Sequence, residues 1–275
     1  MPNLSVIFTV GFRNLDDAID LYKMARHQAG TPPITNIPGI LGVANTQVWQ
    51  ENGHQRELNI VAHVVNSGLY TNKEIAEVII LGGHQRHMPK NVRRDMIDVV
   101  AYLMPWVIAP SITCFQDLIN DLDTRIRSQF LARRTPRSRR WKLGRFGLLL
   151  KYDMALRIAY AYYQDTGLTT FMPTNVYLNQ GARTGAKNLL GCNPPQKMAA
   201  AAINPAFSGS GLSDDEIEDF LCVMHPFLSV GGVLPGQVAK VVCGKHQWLI
   251  NRSLIAKIKR NHPIACMDLL FITKK

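Results

Sequence analysis

The stretch that decides the fold of this chain is Ser213-Asp-Asp-Glu-Ile-Glu-Asp-Phe-Leu-Cys-Val-Met-His-Pro226. Ser213 followed by Glu216 is a capping box, because each side chain can accept a hydrogen bond from the backbone N–H of the other residue. Apolar side chains then recur at the spacing of one helix face, at Ile217, Phe220, Leu221 and Met224. Pro226 cannot continue a helix, so the stretch predicts an amphipathic helix that ends there and packs one face on a core.

Similar cap, periodicity and stop signals recur along the rest of the chain. They predict further helices from Asn14 to before Gly30 and at 57–67, 74–81, 92–106, 111–131, 148–164, 181–190, 195–203 and 249–260. Strand signals are sparse, and Leu4 to Val10 and Ile264 to Ile272 are the plausible strands. We therefore predict a mainly α protein.

A change of composition suggests where the chain divides. Residues 132–147 contain Pro136, two glycines and several mutually repelling arginines, which argues against a regular helix. A chain of 275 residues is long enough for two lobes, since single cores stop growing near roughly 250 to 300 residues. We predict an N-terminal arm at 1–30, a helical lobe at 31–131, a basic linker at 132–147 and a second helical lobe at 148–275.

The sequence predicts neither a secretory leader nor a membrane insertion. Residues 1–10 lack a basic segment ahead of their apolar run, and the run from Val99 to Ala109 is shorter than the roughly 20 residues that a membrane span needs. The five cysteines are an odd number and include no C-x-x-C pair, which predicts buried thiols in a reducing compartment.

The positive charge of the chain is concentrated in one segment. The net charge is +11, and the eleven basic residues from Arg125 to Arg157 face a single acid, Asp153, so this segment carries +10. The rest of the chain holds 20 basic and 19 acidic residues and is close to neutral. Such a local excess predicts a local polyanionic partner.

The centre of this segment combines charge with aromatic rings. Arginine presents a planar donor fork that fits phosphate oxygens, and flat rings can stack on the bases of a single strand. We therefore predict that single-stranded nucleic acid binds to Arg133, Arg134, Arg137, Arg139, Arg140, Trp141, Lys142, Arg145 and Phe146. A nuclear-import signal or a solvated basic linker is the alternative interpretation.

Two smaller basic groups extend the predicted interface. The first surrounds the start of a predicted helix and comprises Arg86, Lys90, Arg93 and Arg94. The second has i, i+4 spacing on another predicted helix and comprises Arg183 and Lys187. Each group alone would suit a solvated face, but three groups in a chain otherwise near neutral predict one binding channel.

The sequence lacks the short motifs G-x-x-x-x-G-K-[ST], G-x-G-x-x-G, H-E-x-x-H and G-x-S-x-G, so we expect no enzymatic activity, no cofactor and no metal. Two alternatives stay open. One is a nucleic-acid-processing enzyme whose acids lie on one predicted helix, at Asp117, Asp121 and Asp123. The other is a DNA-binding protein with a tetrahedral zinc site formed by two pairs of ligands, Cys222 with His225 and Cys243 with His246.

Three segments of the chain resemble the nucleoproteins of phlebovirus-type (bunyavirus) segmented negative-strand RNA viruses. Val78-Ile-Ile-Leu-Gly-Gly-His-Gln-Arg-His-Met-Pro-Lys-Asn-Val-Arg-Arg94 is similar to an apolar helix followed by a basic, proline-containing loop that contacts RNA. Asn179-Gln-Gly-Ala-Arg-Thr184 is similar to a Gly-Arg-Thr turn that leads into a helix. Pro195-Gln-Lys-Met-Ala-Ala-Ala-Ala-Ile-Asn-Pro-Ala-Phe207 is similar to a segment of the form Pro-Met-x-Ala-Ala-Val-Asn-x-x-Phe.

A further run, Tyr152-Asp-Met-Ala-Leu-Arg-Ile-Ala-Tyr-Ala-Tyr-Tyr163, resembles a helix in the coat proteins of flexible filamentous plant RNA viruses. These resemblances imply a basic groove between two helical lobes and an arm at 1–30 that docks on a neighbouring chain. The implied function is encapsidation of single-stranded RNA in a ring or filament. The implied partners are RNA, further copies of the chain and a viral polymerase, in the virion and the host cytoplasm.

Overall fold

The structure is a computed structural model of the 275-residue chain. It describes residues 6–11, 13–27, 46–51, 54–80, 90–106, 108–132, 148–234, 238–243 and 251–263.

The described residues are mainly helical, as the sequence predicts. In chain order the helices are α1 (Leu15–His27), α2 (His54–Asn66), α3 (Asn72–Ile80), α4 (Lys90–Tyr102), α5 (Phe115–Ala132), α6 (Leu148–Thr166), α7 (Gln180–Leu190), α8 (Ala200–Ile203), α9 (Pro205–Ser208), α10 (Asp214–Met224) and α11 (Arg252–Asn261). The strands are β1 (Val6–Gly11), β2 (Thr46–Glu51), β3 (Val176–Tyr177), β4 (Lys197–Met198), β5 (Leu228–Ser229), β6 (Gly232–Val233) and β7 (Val238–Cys243). A 3-10 helix, His225–Phe227, follows α10.

Local signals explain where the helices begin and end. Glu216 accepts hydrogen bonds from the backbone N–H and the hydroxyl of Ser213, each 3.0 Å long, and starts α10 as the capping-box pattern predicts. Gly68 and Gly167 end α2 and α6 with positive φ angles of 68° and 75°, which glycine adopts without steric cost.

The exceptions to the predicted secondary structure involve strands. The strand expected at Leu4 to Val10 is confirmed as β1, but the helix expected at 195–203 is instead β4 followed by the short α8. The sequence patterns do not predict β2 and β7, and the strand predicted at Ile264 to Ile272 lies outside the described residues. In the described chain, β7 lies between β1, which is antiparallel to it, and β2, which is parallel to it.

The described residues form two compact units, which do not follow the predicted lobes. Unit 1 comprises those within Met1–Gln55 and Pro173–His246, and unit 2 those within Arg56–Met172 and Gln247–Met267. The predicted boundary at 132–147 separates α5 from α6, yet these two helices pack together in unit 2. Sequence patterns mark each element locally and do not reveal which distant elements share a core.

The core of unit 1 includes the helix that was predicted to be an exchanged arm. Leu15, Ile19 and Tyr22 of α1 are buried together with apolar residues of α7 and α10. The ring of Tyr22 meets that of Phe220 edge to face, with 5.5 Å between the centroids, and its hydroxyl donates a 2.7 Å hydrogen bond to Asp219. In this chain the apolar stripe of α1 therefore packs on α7 and α10, and the docking of residues 1–30 on a neighbouring chain stays a prediction.

Two glycines bring α7 close to α10. A Cβ atom at Gly185 would overlap the backbone carbonyl oxygen of Leu221, and one at Gly181 would overlap the Sγ atom of Cys222. Both glycines lie on the same face of α7, since residues four apart in a helix are neighbours on its surface. That face of α7 therefore packs against α10 in the core, and the opposite face of α7 points away from α10.

Replacing Gly185 by alanine is expected to lower the free energy of unfolding by about 1 to 3 kcal/mol, because the added methyl group meets backbone that no rotamer change can move. The control is Gly209→Ala, since a Cβ atom at Gly209 has no neighbour within 4 Å and should cost less than about 0.5 kcal/mol. Urea denaturation followed by circular dichroism measures both. Equal losses would contradict the close approach of α7 to α10.

Unit 2 has its own helical core. Its largest fully buried side chains come from α2 to α6, at Ile60, Ile79, Ile80, Met96, Leu118, Leu122 and Tyr152. Tyr152 of α6 meets Phe115 of α5 edge to face at 5.5 Å between the centroids. Arg157 of the same helix is also buried, and its Nη1 atom donates a 2.6 Å hydrogen bond to the carbonyl oxygen of Ile79.

The longest described helices are α5 and α6, with 18 and 19 residues. Within the described ranges, no helix combines the length and the apolar content that crossing a bilayer requires.

Candidate nucleic-acid interface

The structure describes four of the predicted RNA-binding side chains, Arg93, Arg94, Arg183 and Lys187. Lys90 starts α4, but its side chain is outside the description. The remaining predicted residues lie outside the described ranges, namely Arg86, Arg133, Arg134, Arg137, Arg139, Arg140, Trp141, Lys142, Arg145 and Phe146. Their predicted roles stay predictions.

On α4, the two adjacent arginines differ in exposure. Arg94 is exposed, whereas Arg93 is half-buried and burial lowers the pKa of its guanidinium group. The charged form of a buried group loses hydration, which explains the direction of the shift. Arg94 is therefore available to a ligand, and Arg93 is at least partly a structural residue of unit 2.

On α7, both predicted basic residues face solvent. Arg183 and Lys187 are exposed, and each lies two residues beyond a glycine of the face that packs on α10. Two residues correspond to roughly 200° around a helix, so the packing of α7 on α10 directs both side chains outward. Their i, i+4 spacing places them one turn apart on that outer face.

Part of the predicted charge excess is neutralised within unit 2. Arg125 pairs with Asp121 at 2.9 Å, and Asp123 pairs with both Arg127 and Lys151 at 2.7 Å. The charge of the segment Arg125–Arg157 includes these cations but not the two acids, which lie just before Arg125. The count of +10 for Arg125–Arg157 therefore overstates the charge available to a ligand, because Arg125, Arg127 and Lys151 have carboxylate partners.

The pattern of ion pairs separates structural cations from available ones. Further cations with a carboxylate partner are Arg13, Lys23, Lys73 and Lys257. In the part of the chain that the structure describes, the exposed basic side chains without such a partner include Arg94, Arg183, Lys187, Arg252 and Arg260. Arg252 and Arg260 are not among the residues predicted from the sequence, although their spacing around the apolar residues of α11 places them on one outer face.

The acids proposed for an alternative enzymatic function all have local partners. Asp117 accepts hydrogen bonds from the hydroxyl and the backbone N–H of Thr113, at 2.8 and 3.1 Å, ahead of α5. These bonds, that of the hydroxyl first, hold the pKa of Asp117 below its usual value. Asp121 and Asp123 form the ion pairs given above.

The alternative zinc site is only half described. The Nδ1 atom of His225 lies 2.8 Å from the carbonyl oxygen of Cys222, within hydrogen-bond distance. Cys243 belongs to β7 with its side chain outside the description, and His246 is outside the described residues. Among the residues that the structure covers, no group of three or more His, Cys, Asp or Glu side chains is arranged to hold a metal ion.

The available cations described here lie on α4, α7 and α11, and the densest basic run of the sequence is at 133–145. Comparisons with protein-family models, with curated proteins and with solved structures find no match to this chain. Its function is therefore inferred from the charge, exposure and contacts of its own residues.

Proposed function

We propose that this protein is a viral nucleoprotein or coat protein that encapsidates single-stranded RNA by sequence-independent phosphate contacts and by self-assembly. The observation that carries the proposal is the division of the cations into two classes. Basic residues inside α5 and α6 pair with carboxylates or are buried, whereas Arg94, Arg183 and Lys187 are exposed and lack such partners among the described residues. Unneutralised surface charge is what a polyanion backbone binds.

The arginine-rich segment supports the same proposal. Residues 133–145 hold seven basic residues and no acid. Trp141 and Phe146 flank the basic positions with flat rings, on which the bases of an unpaired strand can stack. Phosphate contacts give affinity without sequence information, so the expected ligand is a single strand of any sequence.

The phosphate contacts of α7 are tested by replacing Arg183 and Lys187 together by alanine. Each contact to a single strand contributes about 0.7 to the slope of log K against log salt, hence roughly fivefold in affinity at about 0.1 M salt. The double variant should therefore bind a labelled poly-uridine strand about 25-fold more weakly in fluorescence anisotropy. Its salt slope should also be less steep by about 1.4.

The matched control is Arg13→Ala with Lys23→Ala, in the same unit. It removes the same charge, but both residues pair with aspartates of α1, at 3.0 and 3.7 Å. We expect a change of about threefold or less for this control, since exposed ion pairs contribute little and long-range charge is screened. Equal losses in both double variants would mean that net charge, and not the face of α7, governs binding.

A further inference from the structure

The outer face of α11 carries a basic arc to which the proposed function assigns no role. Arg252, Lys259 and Arg260 are exposed, and neither arginine has a carboxylate or ring partner among the described residues. Helix geometry places Lys259 about 20° from Arg252 around the axis and roughly 10 Å along it, with Arg260 about 80° to the other side. The three cations therefore cover one side of the helix over two turns.

The opposite face of α11 is apolar and is buried in unit 2. Leu254, Ile255 and Ile258 are buried, at 2%, 6% and 0% exposure. A basic amphipathic helix binds a bilayer by inserting its apolar face, and here that face is already packed. Beside its cations, the exposed arc of α11 holds only the small side chains of Ser253 and Ala256. It therefore lacks the large apolar or aromatic anchors typical of protein interfaces.

Contacts along its length hold α11 in place. Lys257 pairs with Glu74 of α3 at 2.8 Å and lies over the ring of Tyr70 at 4.8 Å. At the start of the helix, the backbone N–H of Asn251 donates to the carboxylate of Glu77. Glu74 of α3 thus binds the inner lysine, and Glu77 binds the start of the helix. A surface fixed in this way loses little conformational entropy when a ligand binds.

The far end of α11 is fixed by stacked rings. His262, just beyond the helix, stacks on His63 of α2 and on Tyr70, with centroid distances of 5.3 and 5.8 Å. Burial and the neighbouring His63 lower the pKa of His262, which favours its neutral form. The helix is therefore held at its start, middle and end while its basic arc stays exposed.

We infer that the outer face of α11 is a second phosphate-binding surface, which contacts the backbone of single-stranded RNA through Arg252 and Arg260. The inference rests on the proposed function and adds to it a site outside the predicted interface. Guanidinium forks fit phosphate oxygens, and an arc of cations without apolar anchors complements a charged backbone better than it complements a folded protein surface.

The test is the full-length Arg252→Ala, Arg260→Ala variant in anisotropy titrations with labelled poly-uridine. At about 0.1 M salt we expect a loss of roughly 25-fold and a salt slope less steep by about 1.4. The control, Lys73→Ala with Arg127→Ala, removes two cations of unit 2 that pair with Asp98 and Asp123, at 3.0 and 2.7 Å. It should change affinity about threefold or less. Alanine favours helix, and thermal melts verify that both variants are folded.

The outcomes separate the inference from the proposed function. If the wild-type protein binds RNA and the α11 variant binds it equally well, the inference alone is overturned. The same holds if the control variant loses as much RNA affinity as the α11 variant. A wild-type protein that does not bind the strand removes the proposed function, and the inference falls with it. Vesicles of phosphatidylcholine with phosphatidylserine form the third arm: lipid binding lost in the α11 variant, with RNA affinity unchanged, would assign the arc to a membrane surface and overturn the inference.

Discussion

Tyr22→Ala is expected to lower the free energy of unfolding of unit 1 by about 3 to 5 kcal/mol, the range for removing a large buried aromatic side chain. Tyr22 is fully buried, its ring packs against Phe220, and its hydroxyl donates to the carboxylate of Asp219. The variant removes all three contributions together. Chemical denaturation followed by circular dichroism measures the loss.

Two further variants grade the effect. Tyr22→Phe keeps the ring and removes only the hydroxyl, so it should cost about 1.5 to 3 kcal/mol, as for a hydrogen bond to a charged group. Tyr102→Ala removes a tyrosine that is 60% exposed and should cost about 1 kcal/mol or less. The expected order of destabilisation is Tyr22→Ala, then Tyr22→Phe, then Tyr102→Ala.

The same variants decide between a core helix and an exchanged arm. If α1 docked on a neighbouring chain, Tyr22→Ala would convert oligomers into monomers of unchanged stability. Size-exclusion chromatography beside the denaturation curves distinguishes the two cases. Smaller assemblies with an unaltered unfolding transition would contradict the packing of α1 in unit 1.

Replacing Arg137, Arg139 and Arg140 together by alanine is expected to weaken RNA binding about 100-fold at roughly 0.1 M salt. Three lost phosphate contacts remove about 2 from the slope of log K against log salt. If the wild-type chain neutralises about six phosphates, its own slope is near −4, so the variant should retain about half of the salt dependence. Anisotropy titrations on poly-uridine at several salt concentrations provide both numbers.

The control for this triple removes three cations that have carboxylate partners, Arg13, Lys23 and Arg127. Its affinity should fall much less, although the net charge changes equally. Thermal stability should hardly move in the arginine triple, because the composition of residues 132–147 predicts a linker outside the helical lobes. A flat salt response of the wild-type protein would remove the main argument for phosphate binding.

The triple also tests whether the predicted segment acts alone. If it abolishes binding while Arg183→Ala with Lys187→Ala leaves affinity untouched, RNA is held by the basic segment alone and the faces of α4, α7 and α11 are solvated surface. Arg93 is unsuited to this comparison, because it is half-buried and its loss would also disturb unit 2. The exposed pair on α7, Arg183 and Lys187, is therefore the suitable comparison.

The sequence by itself determined most of the helices, because their signals are local. The capping box at Ser213 with Glu216 joins residues three apart and forms as the pattern predicts, and Thr71 with Glu74 forms a second one. Helical periodicity identified α1, α5, α6 and α10, and i, i+4 spacing placed Arg183 and Lys187 on one face. Such features depend on neighbours along the chain and hold in many tertiary contexts.

Only the tertiary structure decided which segments share a core. The stripe of α1 required a partner, but no local rule names one about 200 residues away, and Asp219 and Phe220 supply it. In the same way, β7 pairs with β1 and β2 through backbone hydrogen bonds. Backbone pairing of this kind does not produce a recognisable pattern of side chains in the sequence of a short strand. Pairing of distant elements depends on the packing of the whole unit.

Which cations are available was also a tertiary outcome. Charge counting treated Arg125, Lys151 and Arg157 as equal, whereas folding pairs the first two with aspartates and buries the third against the carbonyl of Ile79. Conversely, Arg252 and Arg260 of α11 are exposed, whereas Lys257 of the same helix pairs with Glu74 of α3. A sequence fixes how many charges a chain carries, but a charge can bind a ligand only where folding leaves it exposed and without a partner.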